Sequence, residues 1–259
     1  MLEKDYEVLR GPFLSGRQRP DGLAGTMLLA IPLQVLMLFC VYVVAADETI
    51  YPYKDALFKL HFIITAAIMG MSVLMVFSKV HLKFQKIQYA LSIAVTQNLF
   101  CITPYLIFLF LVGGMGISIE ELRWIMWLSI GIGLMIFVAV CIRFYFLLKA
   151  GKYRKGSDRD YVRSRLEGTS FKGIAIVGGT EIVFIMQYVL RNSSSDLNSL
   201  MIASLAIVIA YVTVFILPEQ LVILYCKSRF SSFSFDRRGE LYPIGFDEKY
   251  GKRKKKVKV

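Results

Sequence analysis

Residues Trp124–Leu148 read WIMWLSIGIGLMIFVAVCIRFYFLL, an apolar run whose one charge, Arg143, comes near its end. An uninterrupted stretch of about 18 or more such residues is long enough to cross the hydrocarbon core of a bilayer as a helix. Five further runs of this kind flank it: Leu23–Ala46, Ala56–Phe77, Tyr89–Val112, Phe171–Leu190 and Leu200–Tyr225. The fold class read from them is all-α, a polytopic transmembrane helix bundle of six spans.

The composition agrees, since 56% of the residues are hydrophobic, above the roughly 45–50% of an ordinary soluble domain. Spans and short links consume most of the 259 residues, so no separate soluble catalytic domain fits. The organisation read is a polar N-terminal segment (1–22), a six-helix domain (23–226) with a basic link at 149–173, and a basic tail (227–259). Met1–Asp21 is polar and the first apolar run is of full spanning length, so no cleaved signal peptide is expected.

The formal charge of +12 is concentrated in four places. These are the N-terminal stretch from Lys4 to Arg19, the link carrying Lys79, Lys83 and Lys86, the 149–173 link, and the tail ending in Lys252–Lys256. The alternate links are short and nearly free of lysine and arginine, so the positive-inside rule puts both termini in the cytoplasm, as an even span count requires. The reading places the chain in a bacterial cytoplasmic membrane. The cations of tail and link would attract anionic inner-leaflet lipid, at about 1 kcal/mol each near the surface. Nucleic acid is not expected as a partner, because no folded module presents the charges.

Ser118 and Glu121 have the S-x-x-E spacing of a capping box, which should start the Trp124 helix sharply. Trp124 and Trp127 then suit the outer interfacial belt. Cys40, Cys101, Cys141 and Cys226 are widely spaced and fit packing better than disulfides. With His61 and His81 the only histidines, no metal centre is expected. No nucleotide-binding or redox motif occurs in a supporting context. The reading is therefore a non-enzymatic protein without cofactor.

Glu181 is the leading candidate site residue. It lies about ten residues inside the Phe171–Leu190 run, roughly 15 Å from either water phase at helical rise, where an ionisable group costs about 2.5–3.5 kcal/mol on insertion scales. Thr180, Gln187 and Tyr188 give the same helix a polar flank. Thr96, Gln97 and Asn98 supply a second polar stripe, and Pro104 frees a carbonyl near residue 100. Thr213 and Gln220 add a third. Arg143 and Glu219 sit at matching depths and form a candidate ion pair. A polar intramembrane cavity serving transport of a small solute or ion is the first functional expectation. The alternative is an interaction protein, such as a secretion-system accessory subunit, membrane chaperone or immunity factor, that works by helix–helix contact with a membrane partner.

Overall fold

The computed structural model describes residues 1–16, 18–47, 49–166, 195–236, 238–247 and 252–253. Among these are five helices long and apolar enough to cross a membrane. They are α1 (Pro20–Ala45), α2 (Lys54–Leu74), α3 (Gln85–Gly113), α4 (Ile119–Lys149) and α5 (Ser195–Arg229). The predicted span Phe171–Leu190 lies outside the described residues.

Local chemistry accounts for the helix ends. Pro20 opens α1 at a position where its missing N–H goes unused. The capping box at α4 forms as expected: Ser118 Oγ accepts from Glu121 N–H at 3.2 Å and Glu121 Oε2 accepts from Ser118 N–H at 2.8 Å. Gly113 ends α3 against the link from α1, where a Cβ would come within 2.5 Å of Thr49 Oγ1. Two wide π-helical turns interrupt the regular winding, Cys40–Ala45 in α1 and Asn98–Ile102 in α3. The second directly precedes Pro104, which cannot donate to the Phe100 carbonyl. That freed carbonyl lies 2.9 Å from the Thr213 hydroxyl of α5, which donates to it.

Side-chain contacts fix the relative directions of the helices. Gln88 meets Pro20 and Asn98 meets Gln34, so α1 and α3 run the same way. Tyr42 meets His61, while Asp21 meets His81 just beyond α2, so α2 runs opposite to α1. Phe100 pairs with Thr213 while Lys227 lies over the Tyr89 ring, so α5 is antiparallel to α3. Tyr211 donates to Ser129 O, and Arg143 and Glu219 line one cleft, so α4 and α5 run parallel. Consequently the starts of α1 and α3 and the ends of α2, α4 and α5 gather at one end of the bundle, with the basic segments.

A packed cap closes this end, built from segments that the sequence alone presents as a separate N-terminal stretch, link and tail. Leu9 and Phe13 from the N-terminal turns, Tyr153 from the link and Phe233 and Phe235 from the tail form one core with Tyr89, Phe144 and Cys226 of the spans. Two cations sit inside the cap. Arg10 donates through Nε to Ser232 O at 3.1 Å and through its terminal guanidinium nitrogen to Tyr242 O at 2.7 Å. Lys227 donates to Phe233 O at 2.9 Å, with the ring of Phe13 4.7 Å from its ammonium and those of Tyr89 and Phe235 at 5.7 Å. A cation freed of water over aromatic faces is held by their quadrupoles, which replaces part of its lost hydration.

Asp5 fastens the start of the chain. Its Oδ2 accepts from Leu2 N–H at 2.8 Å, and its Oδ1 accepts from Arg154 at 2.7 Å. Burial raises the carboxyl pKa, but the Leu2 hydrogen bond and the Arg154 charge outweigh it and hold the group below its ordinary value.

Elsewhere the bundle shows water-averse surface. Leu29 is 76% exposed, and Trp124 at the start of α4 is 78% exposed. Apolar exposure repeated along all five helices would aggregate a soluble monomer, and it matches a lipid-facing surface. The chain is thus a membrane-type helical bundle with one elaborated end.

Candidate functional site

Among the buried polar side chains of the described spans, four lie together. Gln34 of α1, His61 and Thr65 of α2 and Asn98 of α3 are 1%, 5%, 0% and 2% exposed. Asn98 joins the three helices. Its Nδ2 donates to Gln34 Oε1 at 3.2 Å and to Thr65 Oγ1 at 3.1 Å. Its Oδ1 lies 3.0 Å from His61 Nε2, and His61 Nδ1 lies 3.2 Å from the Tyr42 hydroxyl.

These contacts set a direction. Because Asn98 donates through its amide nitrogen, its oxygen must accept from His61, which puts the imidazole proton on Nε2. Nδ1 is then the acceptor for Tyr42. The result is a one-way chain from the Tyr42 hydroxyl through His61 and Asn98 to Gln34. Protonation of His61 at Nδ1 would leave the Asn98 contact unchanged and reverse only the Tyr42 contact, a rearrangement that a hydroxyl makes by rotation.

The helices supply this geometry through spacing. His61 and Thr65 are four residues apart and therefore share a face. Tyr42 sits on the π-helical turn of α1 and Asn98 starts that of α3; such wide turns frequently occur at functional positions. The Asn98 carbonyl accepts the Thr103 N–H across the widened turn, and the Thr103 hydroxyl donates to the same oxygen at 2.6 Å. The rings of Phe58 and Phe110 flank Tyr42, with centroids 4.9 Å and 5.8 Å away.

Satisfaction is incomplete at one end. One polar atom of the Gln34 amide meets Asn98, while the other, Nε2, is buried and has no partner among the described residues. Gln97 Nε2 and Gln220 Oε1 are likewise buried and unpartnered there. A buried unsatisfied amide atom costs about 1–3 kcal/mol, a cost that a polar partner at Gln34 Nε2 would offset.

No protein-family model matches the chain, and comparisons with curated proteins and with solved structures give no match. The site rests on its own geometry.

Of the residues singled out from sequence, Asn98 is the hub. Thr96 instead bonds back to Ser92 O of its own helix at 2.8 Å. Gln97 and Gln220 are half-buried, each with the one enclosed atom just described. Arg143 and Glu219 line one cleft of about 330 Å³ together with Tyr153 and Arg159. Glu181, Thr180, Gln187 and Tyr188 lie outside the described residues.

Sequence reasoning passed over Gln34, Tyr42, His61 and Thr65. His61 was weighed there only as a metal ligand, and the signal available was its i, i+4 spacing to Thr65 within an apolar run. Gln34, alone in the middle of the first run, carried the same signal as Glu181 in a less costly residue type.

Proposed function

We propose that this chain is a non-enzymatic, six-span protein of the bacterial cytoplasmic membrane that moves a small solute or ion, with the Gln34–Asn98–His61–Tyr42 network as its proton-responsive polar element. The observation that carries the reading is the buried end of the Gln34 amide, unpaired among the described residues and set two hydrogen bonds away from an imidazole able to change its protonation. A polar oxygen-bearing solute can pair with that donor, and a proton on His61 reverses one contact of the network to which Gln34 belongs.

The parallel course of α4 and α5 supports the span count, because the six-span plan requires its fourth and sixth spans to run the same way. The basic residues gathered at that end support cytoplasmic termini. Glu181 remains a candidate second titratable group, and Arg143 with Glu219 a candidate pair at the cytoplasmic border.

The test is proton movement in liposomes reconstituted with purified protein and loaded with a pH-sensitive dye, driven by a potassium diffusion potential. Wild-type protein should raise the initial rate above that of empty liposomes, and His61→Phe should reduce the increment at least about tenfold. A wild-type rate equal to that of empty liposomes, or an unaltered rate in His61→Phe, would refute the proton-coupled reading.

The second reading, contact with a membrane partner, is favoured by α4. Over 31 residues this helix buries only Leu122, Ser129, Phe144 and Leu148, leaving a long apolar face for lipid or a partner helix. Stoichiometric co-purification of another membrane protein in mild detergent, lost when Leu128 and Met135 are changed to Ala, would favour this reading over transport.

A further inference from the structure

We propose that the groove between the short helix Ser78–Lys83 and the tail residues Ser234, Phe235, Asp236 and Tyr242 binds the phosphate headgroup of an anionic phospholipid. The proposal rests on the membrane setting and is independent of transport. Its volume is about 860 Å³, and Lys79, Lys83 and Lys86 all line it. The Lys83 ammonium lies 5.3 Å from the Phe84 ring centroid and that of Lys86 lies 3.5 Å from Ser228 O, and among the described residues none of the three lysines forms an ion pair with a carboxylate, so their charge is available to an anion. Asp236 is the one acidic residue on the wall. Its Oδ1 is already engaged by the N–H groups of Arg238 and Glu240, at 2.8 Å and 2.9 Å.

The walls are fixed before any ligand arrives. His81, 2% exposed, anchors the short helix from beneath: Nδ1 lies 3.0 Å from Met75 O and Nε2 lies 2.9 Å from Asp21 Oδ1 at the start of α1. Gln85 fastens the opposite wall with a reciprocal pair, donating to Phe235 O at 2.7 Å and accepting from Phe235 N–H at 2.8 Å. A preorganised pocket spends less of its binding energy on ordering itself.

A lipid suits the groove better than a free phosphate because apolar surface continues from the cations. Phe84 and Ile87 line the groove and are 41% and 51% exposed, and Phe77, just before the short helix, is 61% exposed. These positions run from the end of α2 to the start of α3, at the basic end of the bundle. Where the sequence alone points to the tail and the 149–173 link for lipid attraction, the structure assigns a defined site to the second link.

Binding of dioctanoyl phosphatidylglycerol to full-length protein in neutral detergent would be measured by thermophoresis, beside dioctanoyl phosphatidylcholine and glycerol phosphate. Phosphatidylglycerol should bind at least about tenfold more tightly than either. Each lysine changed to glutamine should weaken binding about fivefold, and the triple variant K79Q/K83Q/K86Q on the order of 100-fold. The tail variant K254Q/K255Q/K256Q should stay within about twofold of wild type. The single variants retain two cations each and decide the matter if the triple variant does not fold. Equal affinity for phosphatidylcholine, glycerol phosphate binding as tight as the lipid, or equal loss in the tail variant would each overturn the proposal.

Discussion

Arg10→Met is expected to open the cap at the basic end while leaving the described spans inserted. The side chain is 6% exposed and joins the N-terminal turns to two tail carbonyls, those of Ser232 and Tyr242. Methionine preserves much of the packing volume but strands both carbonyls, and hydrogen bonds to a charged group contribute about 1.5–3 kcal/mol each. The expected loss is about 3 kcal/mol, on the order of 100-fold in the cap-opening equilibrium. Trypsin cleavage within the tail from Phe230 to Asp247, measured in detergent under conditions where opening limits the yield, should accelerate by that factor. Arg10→Lys should fall between the two, because an ammonium can reach one carbonyl but not span both. A cleavage rate equal to that of wild type in Arg10→Met would show that the tail is held by apolar packing alone.

Asn98→Leu is expected to have the largest effect within the spans. One amide bonds to His61, Gln34 and Thr65 on two neighbouring helices. Interhelical hydrogen bonds in membranes average about 0.6 kcal/mol and reach about 1.7, so losing three costs about 2–5 kcal/mol. His61→Phe removes one bond to Asn98 and one to Tyr42 and should cost less. The two changes share a contact, so the double variant should be less destabilised than the sum of the singles, by at least about 0.5 kcal/mol in thermal or denaturant unfolding in detergent. Strict additivity would mean that His61 and Asn98 do not interact.

The parts of this architecture that depend on local spacing could be read directly from the chain. Hydropathy delimited the five described spans to within a few residues, and Ser118 with Glu121 announced the start of α4. Pro104 foretold the freed carbonyl at Phe100, although its partner proved to be Thr213 of α5. Asn98 was recognised as polar in an apolar run, yet its role depends on Gln34 and His61, which approach only when three helices pack. No spacing rule links residues on separate helices.

The cap was less legible for a related reason. Arg10 and Lys227 belong to a chain with 31 lysines and arginines, and in sequence each looks like another surface cation. Their burial depends on contacts with the tail, in the case of Arg10 and Ser232 across 222 positions. The lysines of the second link were read as topological signals; their convergence on one groove required knowing that Gln85 holds Phe235.

The network is tested most directly by the protonation of one ring. Because the chain has two histidines, solid-state NMR of ¹⁵N-histidine-labelled protein in bilayers can assign both, with His61→Phe identifying the signals of His61. Donation from His61 to Asn98 and acceptance from Tyr42 require a protonated Nε2 and a bare Nδ1 in the neutral ring. The predicted spectrum at neutral pH therefore shows His61 as the Nε2–H tautomer, and Asn98→Leu should convert it to a mixture of tautomers. A pure Nδ1–H tautomer in the wild-type protein, or an Nε2–H signal unchanged in Asn98→Leu, would contradict the hydrogen-bond chain.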